Sequence, residues 1–175
     1  MGSRTDSDLD ATVQWLEALA NVSKSNSRNG SREGWHHLHG ADVLLRYGRV
    51  FRPESAVPVR DLGPAKRCYY NSAEIALAEG LTYVEGFASS HFPTEHAWCA
   101  DAVGALMEPT WETVGTAYIG LPVKRDVVTQ VLEANEFFMD GGLLFASSLM
   151  LRWLEHGVDE DMLVDVGEPL SEYLQ

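Results

Sequence analysis

Residues 68–108 decide the fold, and four segments carry the pattern: CYYNSAEIALAEG (68–80), LTYVEGFA (81–88), HAWCAD (96–101) and ALME (105–108). The first segment has a helical composition, and Gly80 stands where the end of such a helix is expected. The second is rich in β-branched and aromatic residues, which is typical of a strand. The last two flank a short turn with Gly104 and predict a hairpin. Together they predict a helix that bears Cys68 and packs on an antiparallel sheet.

Helices are predicted on both sides of this central stretch. Upstream, apolar residues recur at helical spacing over residues 7–20, and residues 35–47 predict a second helix. Downstream, a strand is expected at residues 118–121, followed by helices at residues 124–137 and 143–156. This order predicts an α+β fold in a single domain, residues 1–175, with flanking N- and C-terminal helices.

Three segments are predicted to lack regular structure. Residues 21–34 are rich in Ser, Asn, Gly and Arg, which predicts a flexible loop; the sequence leaves open whether it closes over a cleft. Residues 50–64 contain Pro53, Pro58 and Pro64 and predict an extended connector. The acidic end of the chain, residues 166–175, is expected to be a loose tail.

Charge and composition exclude two classes of partner. A formal net charge of -13, from 13 Lys and Arg against 26 Asp and Glu, repels phosphate backbones, so no nucleic acid partner is expected. The first ten residues show no signal-peptide pattern, and the longest apolar stretch, residues 141–154, is too short to cross a bilayer. With only two cysteines, we expect a cytoplasmic protein with reduced thiols and no membrane association.

Cys68 is the candidate nucleophile. It opens the predicted helix after a proline-containing connector and next to Lys66 and Arg67, and both the helix N-terminus and these charges favour a thiolate. A free cysteine is more often a small buried apolar residue, so a catalytic role for Cys68 requires a base. Cys99 alternates away from His96 along its strand and is interpreted as core packing.

His96 and Glu108 are the candidate base and the carboxylate that orients it. Their relative direction depends on the turn between the two strands, because side chains alternate between the faces of a sheet. A hairpin loop of three or five residues places both on one face, directly or diagonally opposed. A two-residue turn at residues 103–104 would place them on opposite faces. The triad therefore requires a loop with an odd number of residues.

The order of these blocks resembles the transglutaminase-like branch of the papain-like cysteine enzyme superfamily. That pattern runs from a cysteine at a helix start through a strand to His-x-Trp, a turn with glycine, and an acid before Pro-Thr. This chain reads Cys68, Tyr83-Val84-Glu85-Gly86, His96-Ala97-Trp98, Gly104 and Glu108-Pro109-Thr110-Trp111. Bacterial and phage proteins with CxxN, YVEG, HAW and D/E-P-T-W blocks are also similar. The resemblance covers residues 66–122, about a third of the chain.

The resemblance implies a papain-like or transglutaminase-like core in which Cys68 is the nucleophile, His96 the general base and Glu108 the residue that orients the imidazole. The family usually has Asp where this chain has Glu108, and no glutamine before Cys68 matches the papain-type oxyanion donor. The backbone amide of Cys68 is the expected oxyanion donor, with the Asn71 side chain as a second. Trp98 shares the face of His96 and is expected either to wall the substrate site or to pack in the core.

The expected function is thiol-dependent acyl chemistry, the hydrolysis or transfer of an amide, ester or thioester. We expect a peptide, a protein or a small acyl compound as substrate, and neither a cofactor nor a metal. The residues do not separate protease, amidase, deamidase and transglutaminase activities, and they do not indicate an oligomeric state. One alternative is a non-catalytic member of the same fold that acts as a binding or regulatory protein. Another is a metal site at residues 36–39 with a cysteine, disfavoured because adjacent histidines do not converge on one helical face.

Overall fold

An antiparallel sheet organises the part of the chain that the computed structural model describes, which is residues 4–27, 32–58, 61–134, 142 and 144–175. Its six strands are β1 (Arg49–Phe51), β2 (Thr82–Ser89), β3 (Pro93–Ala100), β4 (Leu106–Met107), β5 (Ala117–Val123) and β6 (Glu168–Pro169). They lie in the order β4-β3-β2-β5-β1-β6, and each neighbouring pair is antiparallel. The predicted antiparallel sheet is therefore confirmed.

Helices flank this sheet in the chain, as the sequence predicts for an α+β fold. They are α1 (Arg4–Ser27), α2 (Gly40–Tyr47), α3 (Cys68–Glu79), α4 (Arg125–Glu133), α5 (Ser148–His156) and α6 (Leu170–Tyr173), with 3-10 turns at Pro53–Ser55 and Glu160–Met162. α3 has the predicted bounds and ends at Gly80, whose φ of 72° is in the left-handed region that favours glycine. Among the described helices, none is both long and apolar enough to cross a membrane.

Both faces of the sheet are covered, and the alternation of side chains divides the core in two. Tyr83, Phe87 and Cys99 point to the face on which α1, α3 and the other helices pack. Val84 and Trp98 point to the opposite face, which is covered by loop residues. Because apolar burial on both faces is the main favourable term in folding, the central strands are apolar almost throughout.

α1 is longer than predicted. It continues through Ser27, whereas the sequence predicts a loop from residue 21 onward. The Ser25 hydroxyl donates to the carbonyl of Asn21 at 3.0 Å, and Lys24 lies 3.5 Å from Asp42 at the start of α2. These contacts keep a polar segment helical despite its weak propensity. Residues 28–31 of the predicted loop lie outside the described residues.

The C-terminal segment, residues 166–175, packs against the sheet instead of forming the expected loose tail. β6 pairs with β1, and the side chain of Leu170 is fully buried. The guanidinium of Arg52 donates to Glu168 Oε2 at 2.8 and 3.2 Å. The acidic composition suggested a solvated end, but two apolar positions, Val166 and Leu170, are enough to attach the segment to the core.

The helices after β5 are shorter than predicted. α4 begins at Arg125, close to the expected start, and ends at Glu133. α5 begins at Ser148 instead of residue 143, because the hydroxyl of Ser147 accepts a hydrogen bond from the amide of Met150 at 3.3 Å and caps the helix there. Residues 135–137 and 143, which the prediction places in these two helices, lie outside the described residues.

Candidate active site

Cys68 is the first residue of α3 and is partly exposed. The side chain of the N-cap residue, Arg67, does not cap the helix, and the first intrahelical bond runs from the amide of Asn71 to the carbonyl of Arg67 at 2.9 Å. The amides of the first turn therefore have no acceptor within the helix. Their partial positive charge surrounds the base of the thiol, as the sequence predicts.

His96 lies on β3 and contacts Glu108, which follows β4 directly. Its Nε2 is 2.8 Å from Glu108 Oε2, and each side chain is only 2% exposed. The register pairs Cys99 with Met107 and Ala100 with Leu106, which leaves a loop of five residues, 101–105. The loop has an odd number of residues, which is the condition predicted for His96 and Glu108 to point to the same face. His96 and Glu108 share a face and meet diagonally across the strand pair.

The loop between β3 and β4 owes its length to Asp101. Its Oδ1 accepts hydrogen bonds from the amides of Val103 at 2.9 Å and Ala105 at 2.8 Å. Gly104 has a φ of 84°, which a residue with a side chain rarely adopts. An aspartate that bonds to the backbone two residues on and a glycine with positive φ are typical turn residues. The local sequence thus sets the register that brings Glu108 to His96.

Glu108 accepts four hydrogen bonds. Oε2 accepts from the Tyr118 hydroxyl at 3.0 Å and lies against His96. Oε1 accepts from the backbone amides of Thr110 at 2.9 Å and Trp111 at 3.1 Å. A carboxyl group surrounded by donors acts as an ionised acceptor, so we assign a proton to His96 Nε2. Nδ1 is then the ring nitrogen that remains for the thiol of Cys68.

The thiol of Cys68 lies close enough to the imidazole of His96 to raise the pKa of that imidazole. Burial is the largest single influence and lowers the pKa of His96. The hydrogen bonds to Cys68 and Glu108, together with the charges of these two groups, outweigh it and raise the pKa to about 9. At neutral pH the imidazole of His96 is therefore protonated beside the sulfur of Cys68.

Trp111 covers the imidazole of His96. The two rings are stacked, with centroids 3.9 Å apart and an interplanar angle of 17°. The EPTW block contains Trp111, but the sequence pattern does not predict its position over the imidazole. Trp98 shares the His96 face as predicted, but its centroid is 6.4 Å away and its side chain is fully buried. Trp98 therefore packs in the core and does not wall a substrate site.

Asn71 does not serve as the second oxyanion donor. Its Nδ2 donates to the carbonyl of Pro64 and to the hydroxyl of Thr110, both at 2.9 Å. Both amide hydrogens are thus used within the protein, which corrects the expectation drawn from the sequence. Among the predicted donors, the backbone amide of Cys68 remains.

Cys99 has no part in the site. It is fully buried, and its thiol donates to the carbonyl of Ser72 at 3.2 Å. Burial raises its pKa to about 12, so it stays protonated at neutral pH. The prediction that Cys99 packs in the core is confirmed.

Two of the three histidines in residues 36–39 occupy structural positions. His39 caps α2, where its Nδ1 accepts from the amide of Ala41 at 3.0 Å, and His37 packs edge-on against Tyr47 at a centroid distance of 5.8 Å. Across the described ranges, no group of three or more His, Cys, Asp or Glu side chains could hold a metal ion. These contacts give no support to the hypothesis of a metal site.

A surface groove of about 450 Å³ lies beside Trp111 and Thr110, in the loop that follows Glu108. Leu62 and Ala65, from the connector before α3, line one side of the groove. Trp111 and Thr113 line another, and Trp111 is also the residue that covers His96. A ligand in this groove would lie beside the residue that shields the imidazole.

No model of a known protein family matches this chain, and neither a curated protein nor a solved structure does. A functional interpretation therefore depends on the site itself: a partly exposed thiol at a helix N-terminus, a buried imidazole and a buried carboxylate. Because one fold can host many activities, the chemistry of these side chains is the appropriate basis for it.

Proposed function

We propose that this protein carries out thiol-dependent acyl chemistry on a papain-like or transglutaminase-like core. Cys68 is the nucleophile, His96 the acid and base, and Glu108 the residue that orients the imidazole. One observation carries the proposal: Nε2 of His96 lies 2.8 Å from Oε2 of Glu108, and the thiol of Cys68 is near enough to influence the pKa of the same imidazole. Nucleophile, base and orienting acceptor are the three parts that covalent catalysis by a thiol requires.

The reaction proceeds in two halves. The Cys68 thiolate attacks the carbonyl carbon of an amide, ester or thioester and forms a sulfur–carbon bond. When the tetrahedral intermediate collapses, the imidazolium of His96 gives its proton to the departing amine, alcohol or thiol. Water or an amine then attacks the acyl-enzyme while the imidazole takes a proton from it. This releases the acyl product and restores both the thiolate and the imidazolium.

The N-terminus of α3 supplies the stabilisation of the oxyanion in this proposal. The backbone amide of Cys68 has no acceptor within the helix, and its N–H lies next to the attacking sulfur. The positive end of the helix dipole favours both the thiolate and the oxyanion. A peptide, a protein or a small acyl compound would place its acyl part near the groove beside Trp111.

The burial of His96 favours a second candidate function. Its side chain is 2% exposed and stacked on Trp111, so the imidazole offers almost no surface to a substrate. A protein that keeps this arrangement without turnover would use the same face to bind or regulate a partner. The two candidates differ in whether Cys68 forms and releases an acyl-enzyme.

Alkylation with iodoacetamide across pH 5 to 9 tests the reactivity of the thiol. We expect Cys68 to be labelled at neutral and mildly acidic pH, where an ordinary thiol reacts slowly, and Cys99 to be labelled only after unfolding. Peptide mass analysis locates the label, and Cys99→Ser and Cys68→Ser are the matched controls. Slow labelling of both cysteines, and only at alkaline pH, would contradict the proposal.

Turnover of a simple acyl thioester separates catalysis from binding. We expect a mass increase of one acyl group on Cys68, followed by its loss to water, and neither step in Cys68→Ser. The rate should fall above about pH 9, because deprotonation of His96 removes the acid that serves the leaving group. A reactive Cys68 that never releases the acyl group would favour the binding protein.

A further inference from the structure

Asn71 links two segments that carry different parts of the triad. It lies on the first turn of α3, three residues after Cys68, and is 2% exposed. Its Nδ2 donates to the carbonyl of Pro64, before the helix, and to the hydroxyl of Thr110, in the loop that begins at Glu108, both at 2.9 Å. One side chain thus joins the helix of the nucleophile to the loop of the orienting carboxylate.

A second contact reinforces this link at Gly63. Its amide donates to the carbonyl of Pro109 at 2.8 Å. A Cβ at Gly63 would lie 2.3 Å from Cγ of Asn71 and 2.6 Å from Nδ2, so only glycine permits the approach. The connector, the first turn of α3 and the Glu108 loop therefore meet at the Asn71 amide.

The link carries a cost in stability. Oδ1 of Asn71 is buried and finds no hydrogen-bond partner among the described residues. An unsatisfied buried acceptor costs roughly 1–3 kcal/mol. Buried polar groups without a partner are uncommon in folded proteins, and one explanation for such a group is a role beyond stability.

We propose that Asn71 is a positioning residue, a clamp that sets the separation of the Cys68 thiol from the His96 imidazole. The inference rests on the proposed function. α3 carries the thiol, whereas Glu108 and the amide of Trp111 fix the imidazole from the other side of the clamp. Without the clamp the helix start can move away from the loop, and the thiol loses its contact with His96.

Substitutions at Thr110 and Asn71 test the clamp. Thr110→Val removes one bond of the clamp but keeps the backbone amide that donates to Glu108, and Thr110→Ser keeps the hydroxyl. Asn71→Leu removes both bonds with a side chain of similar size. We expect Thr110→Val and Asn71→Leu to slow alkylation of Cys68 at pH 7 by about 10- to 100-fold, and Thr110→Ser to restore most of the rate.

The pKa of His96, followed by NMR of its ring protons, is the readout that a merely structural role would not change. We expect a fall from about 9 toward 6.5 in Asn71→Leu, because one of the contacts that raise the pKa is lost. Circular dichroism shows whether each variant is folded. Folded variants with the wild-type pKa and alkylation rate would overturn the clamp and leave the proposed function intact. Slow alkylation of Cys68 in the wild type would instead count against the proposed function.

Discussion

Two buried glutamates, Glu85 on β2 and Glu108 directly after β4, differ in what faces them. Glu85 on β2 is fully buried and accepts hydrogen bonds from the Tyr83 hydroxyl at 2.5 Å and from the amides of Leu144 and Phe145 at 2.9–3.0 Å. Glu108 likewise accepts hydrogen bonds from a tyrosine hydroxyl and two backbone amides, but it also faces an imidazole. A carboxylate that faces backbone amides holds a loop in place, whereas a carboxylate that faces an imidazole raises the pKa of that imidazole.

Glu85 has a structural role, because its carboxyl group holds a loop segment against the sheet. Gly142 approaches it so closely that a Cβ there would lie 2.3 Å from Glu85 Oε1. Through its hydrogen bonds to the amides of Leu144 and Phe145, the carboxylate holds the segment before α5 on the helical face of the sheet. The YVEG block contains this residue, yet nothing in that block separates a structural glutamate from a catalytic one.

Glu108→Gln should show the largest effect of any change at these two residues. The backbone amides of Thr110 and Trp111 will hold the oxygen of the new side chain, so its NH₂ group will face His96 Nε2. The imidazole then carries its proton on Nδ1 and no longer accepts one at that nitrogen. We expect kcat on the acyl thioester to fall on the order of 10²- to 10⁴-fold. Glu85→Gln is the matched control. An equal loss of kcat in both variants would contradict the assignment of a catalytic role to Glu108 and a structural role to Glu85.

The second expected difference between Glu108→Gln and Glu85→Gln is in how the free energy of unfolding depends on pH. His96 has a pKa of about 9 in the folded chain against 6.5 for the free group, so the folded state binds the extra proton between these values. The stabilisation is fully present below pH 6.5 and is lost as the pH rises to about 9. Its upper limit is roughly 3 kcal/mol.

Urea unfolding at pH 6 and pH 9 measures this dependence. We expect the free energy of unfolding to change less between the two pH values in Glu108→Gln than in the wild type. Glu85→Gln should retain the wild-type change, since the side chains of Glu85 and His96 point to opposite faces of the sheet. The same pH dependence in all three proteins would mean that Glu108 does not hold the proton on the imidazole.

Glu85→Gln should lower stability rather than activity. The amide that replaces the carboxylate has one acceptor oxygen instead of two, so some donors of Tyr83, Leu144 and Phe145 lose their partner. We expect a loss of roughly 1–3 kcal/mol in urea unfolding, with near-normal labelling of Cys68 in the folded fraction. Glu95→Gln, an exposed position on β3, should stay within about 0.5 kcal/mol of the wild type.

Local patterns predicted the elements that depend on nearby residues. The bounds of α3 followed from composition and Gly80, and the common face of His96 and Glu108 followed from strand alternation and an odd loop. Both are short-range rules: a helix cap and the side-chain period of a strand. The contact between Cys68 and His96 connects distant parts of the chain, and the sequence proposed it only through the order of the blocks.

The features that the sequence analysis missed depend on tertiary contacts. The role of Asn71 depends on where Thr110 lies, and the position of Trp111 over His96 depends on the path of the loop after Glu108. The end of α1 and the packing of residues 166–175 are likewise set by contacts with other elements. Propensity alone cannot supply these contacts, because a few buried groups outweigh it.

The five-residue loop between β3 and β4 also sets a rule for how this protein can change in evolution. Deleting or inserting one residue there would turn Glu108 to the reverse side of the strand and separate it from His96, although every residue of the triad would still be encoded. Inserting two residues would keep the number of loop residues odd, and Glu108 would again point to the face of His96. Homologues that keep the chemistry should therefore vary this loop in steps of two, and an alignment gap of one residue would mark a lineage that has lost it.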